Sequence, residues 1–203
     1  MTAEQVATFN RCIAVGGVAL FASDTVYGLA TAPDSEQGVR RLFALKARPP
    51  DRAAAVMFFD LGLALEALPE LGPRTRAVLA RLLPGAITLL LPNPARRFPL
   101  ACAAEPQRLG LRVPALTGEL APLAAVRRPV LQSSANRSGG PDARRLADVD
   151  PGIRAGVDLE LDGGELPGTP STVLDLTSYE HGGAATVVRA GAVAAAAVTA
   201  ALG

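Results

Sequence analysis

The sequence predicts a single α/β domain, residues 1–203, in which helices flank a mixed β-sheet. Short apolar runs of strand character alternate with segments whose apolar residues recur at helical spacing. Hydrophobic residues make up 49% of the 203 residues, which is enough for one well-filled core. No internal repeat or long linker divides the chain, so one domain is expected.

The first half of the chain predicts helices separated by buried strands. Thr2 and Gln5 form a capping box for the first helix. Ser35 can cap a second helix, which ends at Lys46 before two prolines. A third helical region covers residues 61–83, with breaks at its prolines. The predicted strands are residues 16–23, 53–59 and 86–91.

The second half continues the alternation. The expected strands are residues 109–114, 130–134, 171–176 and 186–190. A helix is expected over residues 117–126, and an alanine-rich helix closes the chain. Residues 150–171 are rich in glycine and proline, and no strand or helix is predicted there.

Charge and composition exclude several kinds of protein. Twenty basic and 19 acidic residues leave a net charge of +1, which argues against coating nucleic acid by bulk charge but permits a local basic cleft. One histidine and two distant cysteines offer no catalytic triad, disulfide framework or structural metal site. The polar, acidic N-terminus lacks a secretory n-region, and the final apolar stretch is too short for a bilayer, so a cytoplasmic protein without a membrane partner is expected.

A basic cluster lies between the second helix and the next strand. If the chain after Lys46 is extended, Lys46 and Arg48 project to the same side, and Arg52 follows closely. A guanidinium fork suits phosphate or carboxylate oxygens. The alternative is a solvated helix end, where basic residues also suit the macrodipole.

Two polar turns follow predicted strands. In "SDTVYGL", Ser23, Asp24 and Thr25 come where a ligand commonly binds an α/β sheet, although such side chains also satisfy their own turn. In "QSSANRSGG", Ser134 and Asn136 suit an anion nest at a strand-to-helix turn, although an ordinary polar loop is the alternative. Neither a P-loop nor a GxGxxG motif is present.

Taken in order, the motifs resemble those of the YrdC-like family, the single-domain L-threonylcarbamoyladenylate synthases. The matching segments are "SDTVYGLA", "LKARP", "LPGAIT", "GLRVP", "SSANRSGGP", "STVLDL" and "VVRAG", which together span most of the chain. The resemblance implies an open, twisted mixed sheet with a concave basic cleft. It also implies a nucleotidyltransferase that joins L-threonine, bicarbonate and ATP, with the magnesium that ATP carries, into threonylcarbamoyl-AMP and pyrophosphate.

The resemblance also implies roles for individual residues. The catalytic set would be Lys46, Arg48, Ser134 and Asn136; the ATP-binding set Arg48, Arg52, Ser134 and Arg189; the threonine-binding set Thr25, Arg112 and Ser171. The product would pass to the downstream tRNA threonylcarbamoyl transferase machinery that makes threonylcarbamoyladenosine.

The chain departs from the family pattern at two positions in particular. Arg52 stands near a common asparagine and Met57 near a common histidine, so looser rejection of serine is expected. An alternative function is an RNA- or nucleotide-binding paralogue that contacts tRNA or double-stranded RNA in the cleft. A third is a carbamoyl-adenylate former of a larger maturation enzyme, which is less favoured because no zinc-finger or acylphosphatase-like segment is recognised.

Overall fold

The computed structural model describes residues 1–203 and builds one nine-stranded sheet. The strands are β1 (Ala19–Ala22), β2 (Tyr27–Thr31), β3 (Ala55–Met57), β4 (Ile87–Pro92), β5 (Arg108–Arg112), β6 (Val130–Ser134), β7 (Leu159–Leu161), β8 (Thr172–Asp175) and β9 (Thr186–Arg189). Their spatial order is β7-β1-β2-β6-β3-β5-β4-β8-β9. The pairs β1–β7, β3–β5 and β4–β8 are parallel and the other five are antiparallel, which confirms an open mixed sheet.

Seven α-helices accompany the sheet. They are α1 (Ala3–Ala14), α2 (Glu36–Leu45), α3 (Leu61–Ala67), α4 (Pro73–Leu82), α5 (Pro99–Cys102), α6 (Pro151–Arg154) and α7 (Ala195–Leu202). The predicted capping box is confirmed, since the Gln5 amide donates to Thr2 Oγ1 at 3.2 Å and the Thr2 amide donates to Gln5 Oε1 at 2.8 Å. None of the helices combines the length and the hydropathy needed to cross a bilayer.

One cluster of 48 buried residues forms the core. Near one end of the sheet, α1 contributes Phe9, whose ring lies 5.4 Å from that of Phe21 on β1 and 5.9 Å from that of Phe59 just after β3. These contacts bury aromatic surface between α1 and the sheet and give the helix a defined position across the strands.

Two strands occur where the sequence predicts none. Residues of the "SDTVYGL" turn begin β2, whose five residues are all buried because β1 and β6 pair with it on both sides. The second is β7, a three-residue strand inside the region where no strand or helix is predicted, which pairs with the outer side of β1. Each of these strands has a partner that is distant in the chain, β6 for β2 and β1 for β7, and local composition does not report it.

Three local predictions are wrong. The helix over residues 117–126 is a 3-10 helix, Gly118–Ala125, with a proline inside it. No helix directly follows β6, so the "QSSANRSGG" segment is not a strand-to-helix turn. The backbone after Lys46 is not extended: Lys46 is helical, Ala47 has φ 48°, and the Arg48 amide donates to Phe43 O at 2.9 Å.

Candidate active site

A cavity of about 140 Å³ on the sheet gathers most of the predicted site residues. Its lining includes Thr25, Arg48, Arg112, Ser134, Ser171 and Arg189. Three arginines and no carboxylate line it, so its charged wall is cationic. Three of these residues come from strand ends: Arg112, Ser134 and Arg189 are the last residues of β5, β6 and β9.

Arg112 and Asp24 form a buried ion pair on one wall of the cavity. An Arg112 terminal nitrogen donates to Asp24 Oδ1 at 2.6 Å and lies 3.3 Å from Thr25 Oγ1. The other oxygen of Asp24 accepts from the Ala115 amide at 3.0 Å. Burial raises the pKa of Asp24, and the neighbouring Arg112 opposes that change. Arg112 Nε is buried without a hydrogen-bond partner, so one donor of a held guanidinium remains free.

Arg48 supplies a second unpaired guanidinium donor. One terminal nitrogen donates to Ala53 O, and the guanidinium carbon lies 5.7 Å from the centre of the Phe43 ring. Its Nε is buried and has no partner. Burial lowers the pKa of Arg48, and the charge of Arg52 adds to that effect. Only three buried side-chain nitrogen or oxygen atoms in the chain lack a partner, and two of them belong to the arginines of this cavity.

Lys46 lies behind the cavity lining and holds the segment after β6. Its ammonium donates to Asn136 O at 2.7 Å, to Asn136 Oδ1 at 3.0 Å and to Ser134 O. Asn136 Oδ1 also accepts from Ser134 Oγ at 2.7 Å, and Asn136 Nδ2 donates to Gly140 O at 2.5 Å. Burial, followed by the charge of Arg48, lowers the pKa of Lys46 from 10.5 to about 8, with Asp142 opposing. All three ammonium donors are therefore used within the protein.

Ser171 and Thr88 form a hydroxyl pair on the opposite side of the cavity. Their oxygens lie 2.8 Å apart, and Thr88 is the threonine of "LPGAIT". A terminal guanidinium nitrogen of Arg189 donates to Ser171 O at 2.6 Å and lies 3.2 Å from Ser171 Oγ. Arg189 lies on the edge strand β9 and is solvent-exposed, so only these contacts with Ser171 hold its guanidinium beside the cavity.

Two predicted residues do not reach the cavity. Arg52 is exposed on the segment between α2 and β3 and is absent from the lining. Met57 is 0% exposed and packs in the core, so it is not a wall of the predicted threonine site. The sequence reasoning placed Asp24 in a candidate ligand-binding turn but not as the partner of Arg112, and it assigned no role to Thr88 or Gln132. Asp24 and Thr88 lie inside matched motifs, which could have identified them, whereas nothing local marks Gln132.

The chain has no metal cluster, and a larger groove lacks the predicted site residues. No group of three or more His, Cys, Asp or Glu side chains is arranged to hold a metal ion. A larger groove of about 620 Å³, lined by residues such as Ile13, Phe98 and Leu100, is mixed in polarity. It contains none of the predicted site residues.

The arrangement of three arginines can bind an anionic ligand. Comparison with known proteins shows the family of the chain. The Sua5/YciO/YrdC family model, described as telomere recombination, matches residues 11–191. The chain belongs to the Sua5/YciO/YrdC family. A threonylcarbamoyl-AMP synthase of Chromohalobacter salexigens is 36% identical over 183 residues, covering 88% of this chain and 96% of that protein. One of Pyrococcus abyssi is 32% identical over 166 residues, covering 81% of this chain and 48% of that protein.

Solved structures of the family confirm the predicted fold. P. abyssi Sua5 complexed with L-threonine superposes with a TM-score of 0.85 and 26% identity, covering all of this chain and 58% of that one. E. coli YciO superposes with a TM-score of 0.75 over 94% of this chain at 23% identity, which supports the fold alone. The family resemblance seen in the motifs is confirmed, as is an enzyme of the nucleotidyltransferase type, the activity named for its curated members.

Proposed function

We propose that this Sua5/YciO/YrdC family member synthesises L-threonylcarbamoyl-AMP and pyrophosphate from L-threonine, bicarbonate and ATP. The observation that carries the proposal is the pair of unpaired buried donors, Arg48 Nε and Arg112 Nε, in the wall of one cavity. A buried donor without a partner is unfavourable, so both guanidinium groups favour an anionic ligand. Threonine carboxylate and ATP phosphate supply two anions for the two positions.

Threonine is assigned to the wall formed by Arg112, Thr25 and Ser171. Asp24 already orients the Arg112 guanidinium, so the free Arg112 Nε–H can donate to the substrate carboxylate with little reorganisation. Ser171 and Thr25 offer oxygens for the amine and the hydroxyl. The P. abyssi Sua5 structure contains L-threonine, which supports the same substrate for this relative.

ATP is assigned to the wall formed by Arg48, Ser134 and Arg189, with Arg52 at the solvent edge. The cavity, about 140 Å³, is smaller than the roughly 300 Å³ at which small-molecule pockets begin. We therefore expect it to enclose threonine and the reacting phosphate, while the rest of ATP extends outside. Lys46 and Asn136 act behind this wall by holding Ser134 in place.

The chemistry requires charge stabilisation rather than a nucleophilic side chain. Threonine amine and bicarbonate give a carbamate with loss of water. A carbamate oxygen then attacks the α-phosphorus of ATP, and the bond from that phosphorus to pyrophosphate breaks. All partners are anionic, and fixed guanidinium groups reduce their repulsion in the transition state. ATP brings its own magnesium as part of the substrate.

We place this reaction in the cytoplasm, in one 203-residue domain, upstream of the machinery that transfers the threonylcarbamoyl group to tRNA. The test is incubation with ATP, bicarbonate and labelled threonine, followed by chromatographic detection of an AMP-linked threonine product. Product that depends on all three substrates supports the proposal. ATP binding without product would instead support the nucleotide-binding paralogue.

A further inference from the structure

Gln132 is a largely buried residue whose carboxamide makes no hydrogen bond within the protein and is not sealed off from the cavity that the residue lines. It lines the cavity and is 5% exposed, yet its side chain makes no hydrogen bond to another residue. A primary amide can donate two hydrogen bonds and accept two. No contact within the protein occupies these donors and acceptors, so they are available to a ligand in the cavity that both donates and accepts.

Small neighbours give this carboxamide its room. Gln132 lies on β6 between β2 and β3, opposite Ala30 on one side and Ala55 on the other. A Cβ at Gly28, which is on β2, would lie 2.8 Å from Gln132 Nε2. Glycine at that position thus leaves space for the amide, although its backbone does not require the left-handed region. The small residues around Gln132 therefore leave enough room for its carboxamide.

The position lies between the two proposed subsites. Two residues further along β6, on the same face, comes Ser134 of the ATP side. Val130 lies two residues before Gln132 on β6 and pairs with Met57 on β3. Met57 in turn pairs with Arg112 on β5, which belongs to the proposed threonine side. The group that joins threonine to the α-phosphate would therefore lie over Gln132.

We propose that Gln132 binds the carbamate of the reacting N-carboxythreonine. A carbamate offers an N–H donor next to carboxylate acceptors, and a carboxamide offers the complementary acceptor and donor. The paired contact would orient the carbamate so that one oxygen remains free to attack phosphorus. This inference rests on the proposed function. It assigns Gln132 as the residue that binds the carbamate intermediate of that reaction.

Binding of a stable mimic tests the contact without turnover. We would measure the affinity of wild type and Gln132→Leu for L-threonine and for N-carbamoyl-L-threonine by calorimetry. Leucine has similar bulk and no polar atoms. The expected result is threonine affinity unchanged within about twofold and N-carbamoyl-threonine affinity lowered about tenfold, since one pair of hydrogen bonds is lost.

Kinetics give the second readout. In Gln132→Leu we expect turnover about 100-fold lower. The KM for bicarbonate should rise more than the KM for threonine or ATP. Gly28→Ala should displace the amide while leaving Gln132 in the chain, and should reproduce part of both effects. Gln37→Leu on the exposed face of α2 makes the same chemical change away from the cavity and should have no effect.

Several outcomes would overturn the assignment. Equal weakening of threonine and its carbamoyl derivative would mean that Gln132 supports the threonine site only, and unchanged binding and turnover would mean that it contacts nothing. A lowered melting temperature in Gln132→Leu would show a structural role, because the amide makes no hydrogen bond within the protein whose loss could destabilise the fold. If wild type makes no AMP-linked product, the proposed function fails, whereas the binding comparison still tests Gln132.

Discussion

The two walls of the cavity differ in how firmly the protein holds them before any ligand arrives. On the side proposed for threonine, Arg112 is 3% exposed and is held by a charge-assisted bond to Asp24. On the side proposed for ATP, Arg189 is exposed on an edge strand and Arg52 is exposed on a loop. We infer that the wall that must recognise one amino acid is preorganised, while the wall that meets phosphates gains order from the ligand's own charge.

The largest expected effect comes from breaking the preorganised wall at Arg112. Arg112→Met should abolish detectable synthesis of threonylcarbamoyl-AMP, because the threonine carboxylate loses its guanidinium partner. It should also lower the free energy of unfolding by about 3–5 kcal/mol, since Asp24 is left buried and uncompensated. Chemical denaturation and the product assay measure the two effects separately.

A double variant separates stability from function at this pair. Arg112→Met combined with Asp24→Leu should recover most of the lost stability, because no charge remains buried, and should stay inactive. Recovery of synthesis in that double variant would contradict the role given to Arg112.

The next largest effect is expected at Arg48 on the ATP side. Arg48→Ala and Arg48→Lys should both raise the barrier by about 2–4 kcal/mol, because lysine lacks the planar fork. ATP affinity and turnover, measured with saturating threonine, check this. Stability should change less than at Arg112, because Arg48 has no carboxylate partner that the substitution would strand. Near wild-type turnover in Arg48→Lys would mean that a point charge suffices there.

A smaller, pH-dependent effect is expected from Lys46. Its pKa is lowered from 10.5 in the unfolded chain to about 8 in the folded protein, so its charge is lost as pH rises through 8. ATP affinity should therefore decline above about pH 8. Lys46→Met should bind ATP more weakly than wild type, and its affinity should show no such decline above about pH 8. Between pH 8 and 10.5 the folded state binds fewer protons than the unfolded one, so this group's contribution to stability rises with pH. A wild-type affinity profile that stays flat to pH 10 would contradict the assignment.

The smallest effect concerns amino-acid selection. Ser171→Ala should reduce the preference for threonine over valine about tenfold, because one hydroxyl partner is lost while the pocket keeps its shape. Competition between labelled threonine, serine and valine measures this ratio. Looser rejection of serine stays a prediction, but Met57 no longer supplies its reason, because that side chain packs in the core. Met57→His should therefore leave the threonine-to-serine ratio unchanged, and a sharper ratio would return Met57 to the site.

Much of the fold follows from local sequence signals. Capping by Thr2 and the breaks around α3 and α4 are chemical features of a few consecutive residues, and they were predicted correctly. The strands that were missed, β2 and β7, are short and lie in polar or glycine-rich surroundings. Their stability comes from pairing with β1, and nothing in their own composition reports that partner.

By itself, the sequence determined the order of the motifs and the identity of the side chains that meet in the cavity. Only the tertiary structure decided how those side chains are used. Lys46 was expected to face a ligand beside Arg48, but it holds Asn136, which is 90 residues away, and Arg112 is held by Asp24 at a separation of 88 residues. Whether a donor is satisfied or free depends on such distant partners, and sequence patterns contain only near ones. The free donors of Arg48 and Arg112 and the unpaired amide of Gln132 are thus properties of the fold.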